Sequence, residues 1–111
     1  MSTANPARAL VLTPEQQAEI HRLLQQYLPG IEVRAYGSRV KGTAKPWSDL
    51  DLAVLDEAGS KTAIADLKHA FEESDLPFRV DLFLWSELPD SFRENIEKEH
   101  LVLQKKGHAE T

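Results

Sequence analysis

The chain has 111 residues, a formal net charge of −5 and no cysteine. That is one compact domain's worth of sequence, with ordinary globular composition and no means of forming disulfides or thiolate metal sites. The acidic balance argues against broad electrostatic capture of nucleic acid. The apolar runs are too short to span a bilayer, and Met1 to Arg8 lacks a signal-peptide core, so a cytoplasmic protein is expected.

Residues 1–10 read as polar and loosely ordered, followed by a weakly apolar run, Ala9-Leu10-Val11-Leu12. A helix then starts at Thr13-Pro14-Glu15-Gln16: threonine is a good N-cap, proline suits the first helical position and Gln16 completes a capping box. Ile20, Leu23, Leu24, Tyr27 and Leu28 recur at helical spacing, and Pro29-Gly30 stops the helix. Residues 31–36 alternate, with Ile31, Val33 and Ala35 on one face and Glu32, Arg34 and Tyr36 on the other, which predicts a half-buried strand.

That strand runs into Gly37-Ser38. Residues 39–44 are expected to form one short helical turn ended by Pro46. A second strand starts at Asp49 or Leu50 and ends at Leu55. Ser60 is expected to cap a helix reaching about Ser74, with Ile64, Leu67 and Phe71 inward. Residues 78–85 predict a third strand, with Val80, Leu82 and Leu84 on one face and Arg79, Asp81, Phe83 and Trp85 on the other. A last helix over residues 92–99 turns Phe92 and Ile96 inward, Leu101-Val102-Leu103 suits a short edge strand, and residues 105–111 are expected to fray. Alternating helices and strands predict an α/β or α+β fold around a small sheet of three to four strands.

The chemistry concentrates between Gly37 and Val54. Side chains alternate along a strand, so Asp49 and Asp51 share a face while Leu50, Leu52 and Val54 share the other. Two close carboxylates repel and raise each other's pKa unless a cation lies between them. An oxygen-only set suits a hard ion such as Mg²⁺, and a small-residue turn just upstream can bring backbone N–H groups to a phosphate. Each element alone is weak: most Asp-x-Asp pairs are solvated or cap turns, and most Gly-Ser pairs are just turns. Their combination is specific: a strand, Gly37-Ser38, ten intervening residues, Asp49-Leu50-Asp51 opening a second strand, then Asp81 in a third.

That pattern resembles the nucleotidyltransferases of the DNA polymerase β superfamily, and in particular its minimal members, the MNT domains. The resemblance covers nearly the whole chain and implies the polymerase β-like fold, a mixed sheet with helices packed on it. It implies that Gly37 and Ser38 bind a nucleotide triphosphate, that Asp49 and Asp51 bind two Mg²⁺ ions, and that Asp81 completes the catalytic metal site and helps deprotonate the acceptor hydroxyl. It places Arg39 and Lys41 near phosphates; the alternative is that both are solvated loop charges. Many relatives carry arginine where this chain has Lys41, so a bidentate grip is not expected there. Asp81 has an alternative as a buried acid paired with Arg34 or Arg79. Ser48 is expected to shape the turn before Asp49, and Trp47 to pack. His21, His69, His100 and His108 show no ligand spacing.

Such short relatives are commonly encoded with a helical HEPN partner. The resemblance therefore implies an antitoxin that moves AMP from ATP to a tyrosine of a HEPN ribonuclease toxin, with a hetero-oligomer expected. Two further functions fit the same elements: an adenylyltransferase for a small hydroxylated molecule, and a non-catalytic MNT subunit that neutralises its HEPN partner by binding.

Overall fold

The computed structural model describes residues 12–55 and 61–107. The first helix, α1 (Pro14–Tyr27), begins as its sequence dictates. The Thr13 hydroxyl accepts from the Gln16 N–H at 3.1 Å, and the Gln16 side chain accepts from the Thr13 N–H at 3.0 Å. These two bonds satisfy amides that the first turn otherwise leaves open. Ile20, Leu23 and Leu24 face inward, and Leu28 closes the stripe.

The chain then enters β1 (Glu32–Tyr36), whose buried Val33 and Ala35 alternate with half-buried Glu32, Arg34 and Tyr36. A single helical turn, α2 (Ser38–Lys41), follows and is closed by Gly42 at φ 85°. β2 (Leu50–Leu55), α3 (Lys61–Glu72) and β3 (Val80–Leu84) form a parallel crossover unit. The expected cap at Ser60 and the apolar run 9–11 lie outside the described residues. β3 ends earlier than its alternation predicts, because Trp85 opens a 3₁₀ turn (Trp85–Glu87). α4 (Asp90–Lys98) and β4 (Leu101–Gln104) complete the order.

The sheet runs β3-β2-β1-β4. β1 pairs antiparallel with β2 and β4, while β2 pairs parallel with β3, so the sheet is mixed and four-stranded as expected. After β4 the Gly107 N–H donates to the Gly30 carbonyl at 2.9 Å. The Gln104 side chain likewise donates to the Leu28 and Ile31 carbonyls.

The two faces of the sheet differ, and that difference positions the site. One face carries Val33, Ala35, Leu50, Leu52, Val54, Leu82 and Leu84 and is packed by the apolar stripes of α1 and α3. The other is covered only in part, where Ala53 packs with Leu88 and Ile96 beside Tyr36, Leu55 and Trp85. Asp51 and Asp81 project from this second face, near the starts of their strands. Phe92, expected inward, is 53% exposed; α4 is short and its contact with the sheet is made by Ile96.

Candidate active site

Strand register brings the acids together. Asp51 lies directly opposite Asp81 across the parallel β2–β3 pair and opposite Tyr36 across the antiparallel β1–β2 pair. Asp49 stands just ahead of β2, where the Leu50 N–H donates to the Arg79 carbonyl at 2.9 Å. That bond aligns the entrance of β2 with the entrance of β3. A period of two then carries Asp49 and Asp51 onto the face that Asp81 shares.

Gly37 completes the cluster. Its φ of 88° is a conformation that residues with a Cβ rarely adopt, and a Cβ built there would lie 2.7 Å from Asp51 Oδ2. The backbone of the Gly-Ser turn thus packs directly against the central acid. Ser38 opens α2 immediately after it, and its carbonyl accepts from Gly42 and Thr43.

Burial, followed by repulsion from Asp81 and then Asp49, pushes the Asp51 carboxyl up to about 6, with the Arg79 charge opposing. Tyr36 is pushed up to about 12 by burial and by the charges of Asp51 and Asp81, so its phenol stays protonated. Asp81 is not wedged among apolar side chains as its sequence neighbours suggested. It is partly open and paired with Arg79, whose Nε lies 3.1 Å from Asp81 Oδ1. The same guanidinium reaches Asp49 Oδ2 through Nη2 at 2.9 Å. Among the described residues, no three His, Cys, Asp or Glu side chains are gathered as a metal-ion cluster. A cationic side chain bridges the first and third acids instead.

The two basic residues of the turn part company. Lys41 is exposed and lines a cavity of about 390 Å³ together with Tyr36, Gly37, Phe92 and Asn95. Arg39 is 3% exposed and so is not a solvated charge. Its Nε donates to the Ser48 carbonyl at 3.0 Å and its Nη2 to the Pro46 carbonyl at 3.0 Å. Its guanidinium also stacks 4.0 Å from the Phe78 ring centroid. A planar fork satisfied by carbonyls makes this burial tolerable and fixes the loop that delivers Asp49. Arg39→Ala should therefore destabilise the fold by about 2–4 kcal/mol, the cost of orphaning those carbonyls and the ring contact. Urea unfolding checks this; a change near zero would show that the loop is held by other contacts.

Ser48 shapes the turn as expected, its hydroxyl accepting from the Lys45 N–H at 2.8 Å. Trp47, expected to pack, is 68% exposed beside it. His21 and His69 lie on exposed helix surfaces, His100 follows α4, and His108 is outside the described residues. Sequence reasoning weighed Arg79 only as a partner for Asp81 and missed its bridge to Asp49. The available signal was its position two residues before Asp81, on the same strand face.

A mixed sheet that aligns a Gly-Ser turn with three aspartates is the frame of a nucleotidyltransferase, and the nucleotidyltransferase domain family matches residues 18–103. The chain belongs to that family. It is 48% identical over 98 residues to a probable protein adenylyltransferase MntA of Haemophilus influenzae, covering 87% of this chain and 86% of the relative. The same fold occurs in a toxin–antitoxin crystal structure with AMP-PNP, at a TM-score of 0.66 and 24% identity over 81% of this chain and 73% of that one. It also occurs in the MntA–HepT toxin–antitoxin structure, at a TM-score of 0.58 and 21% identity over 81% and 70% of the two chains.

Proposed function

We propose that this nucleotidyltransferase moves AMP from ATP to a tyrosine hydroxyl of a HEPN ribonuclease toxin and so acts as its antitoxin. The observation that carries the catalytic part is the register of Asp51 with Asp81 beside Gly37, with a carboxylate oxygen held against the turn backbone. The likeness to a probable protein adenylyltransferase supports a protein as acceptor, and the fold shared with toxin–antitoxin structures is consistent with a toxin partner.

The donor set is all oxygen, on adjacent strands, and fits a hard divalent ion such as Mg²⁺; Asp49, Asp51 and Asp81 are the residues that would hold two of them. When bound, such ions neutralise the triphosphate and the charge that develops at the leaving pyrophosphate. The rest falls to the chain itself. The Gly37 backbone and the Ser38 hydroxyl bind phosphate oxygens, with Lys41 at the rim of the adjoining cavity. Asp81 accepts the proton of the incoming hydroxyl. The acceptor oxygen then bonds to the α-phosphorus as the bond to the bridging oxygen breaks and pyrophosphate leaves. Among the described residues no helix is long and apolar enough to cross a membrane, and a cytoplasmic site of action suits an ATP-consuming reaction.

A bare triphosphate and an acidic cluster repel, so metal and nucleotide should bind together. ATP with Mg²⁺ should raise the melting temperature, by the equivalent of about 2.7 kcal/mol at a hundredfold excess over Kd, while ATP with excess chelator should not. Equal stabilisation without metal would remove the metal site from the proposal. In cells, a folded variant that cannot transfer AMP should fail to protect against the partner. Protection by such a variant would mean that binding alone neutralises the toxin.

A further inference from the structure

Arg79 is a cation already seated where the proposed site calls for one. Its backbone is pinned, since its carbonyl accepts the Leu50 N–H, yet its side chain is 70% exposed. The guanidinium spans Asp49 at 2.9 Å and Asp81 at 3.1 Å, two of the three carboxylates that would ligate an ion. The other arginines near the sheet are committed elsewhere. Arg39 is buried on loop carbonyls, and Arg34 is paired with Glu32 at 2.8 Å. The guanidinium and an arriving ion compete for the same oxygens, and both cannot hold them at once.

The geometry points to Arg79 as a resident counter-ion that offsets part of the charge of the acid cluster and that a divalent cation must displace to enter. The inference rests on the metal-dependent reading above. An exposed ion pair is weak and its long side chain can swing aside without refolding, so the displacement is reversible. A bare ion, gaining only the carboxylates, meets this competition in full. An ion arriving with a triphosphate brings further ligands and overcomes it. Arg79 thereby acts as a positioning residue that biases the site toward the metal–nucleotide complex over free metal.

The test is a Mn²⁺ titration without nucleotide, followed by calorimetry, on the wild type, Arg79→Gln, Arg79→Lys and Arg93→Gln. Arg93 pairs with Asp90 on α4 and controls for net charge. Arg79→Gln should tighten Mn²⁺ binding by about 2- to 5-fold, the range of an exposed ion pair, with Arg79→Lys between it and the wild type. Arg93→Gln should match the wild type. As a second readout, Arg79→Gln should melt lower than wild type without metal and regain the difference on Mg²⁺ alone. Unchanged or weaker Mn²⁺ binding in Arg79→Gln would overturn the inference, as would equal tightening in Arg93→Gln. If wild type binds no Mn²⁺ even with ATP present, the metal-dependent reading fails, and this inference with it.

Discussion

Asp51→Asn should abolish AMP transfer while making the metal-free protein more stable. Asparagine keeps the shape and one acceptor oxygen but removes the charge that would hold the ions. The rate should fall by about 10³-fold or more, because charge neutralisation and positioning carry most of this kind of transfer. The stability gain follows from the raised pKa. In the folded protein the carboxyl titrates at about 6, against an ordinary 3.8. Between those values the folded state holds more proton than the unfolded state, so stability falls as pH rises through that window. Above about pH 6 the full penalty is present, and asparagine removes it. Discounted for the partial exposure of the group, the gain at pH 7.5 should be about 1–2 kcal/mol, fading as pH approaches 4. Thermal melts of both proteins at two pH values, in chelator, read this directly. A variant that melts lower at pH 7.5 would mean that Asp51 is stabilised by its surroundings rather than crowded by Asp81 and Asp49.

Gly37→Ala should have the second largest effect, through the same carboxylate. The backbone there, at φ 88° and ψ −157°, is open essentially only to glycine. Alanine adds strain of about 1–3 kcal/mol and a Cβ that would meet Asp51 Oδ2 at 2.7 Å. The carboxylate can yield only by leaving the place where it faces Asp81, or the turn by leaving the place where it would meet phosphate. A displacement of this order costs about 10²-fold in a positioned reaction. Transfer should therefore drop about 10²-fold, with a lower melting temperature, whereas a helix-surface control such as Gln25→Ala should change neither. Gly37→Ala with full activity would show that the turn does not approach the reacting phosphate.

What the sequence made legible was local or periodic. Thr13, Pro14 and Gln16 specify the start of α1 among themselves, within one turn, and the capping box forms as read. The alternation of residues 32–36 and the Asp-x-Asp spacing placed side chains on faces because the strand period is fixed. What remained hidden depends on partners distant in the chain. Arg39 read as either a phosphate contact or a solvated loop charge; its burial requires carbonyls six to nine residues away and the ring of Phe78. The double role of Arg79 requires the β2–β3 register, which no single segment encodes. Trp47 was expected to pack and Phe92 to face inward beside Ile96, yet both are largely exposed. Phe92 lines the cavity beside Tyr36 and Gly37, next to the acid cluster.

The central claim is that these aspartates, with the Gly37-Ser38 turn, move AMP onto a protein hydroxyl. Its most direct test is the intact mass of a co-encoded HEPN protein after incubation with this chain, ATP and Mg²⁺, with Asp51→Asn run alongside. The expected result is a mass gain of one or more AMP units on the partner, mapping to tyrosine, absent with chelator and absent with Asp51→Asn. An unmodified partner in a complex that forms normally, or the same modification by folded Asp51→Asn, would contradict it.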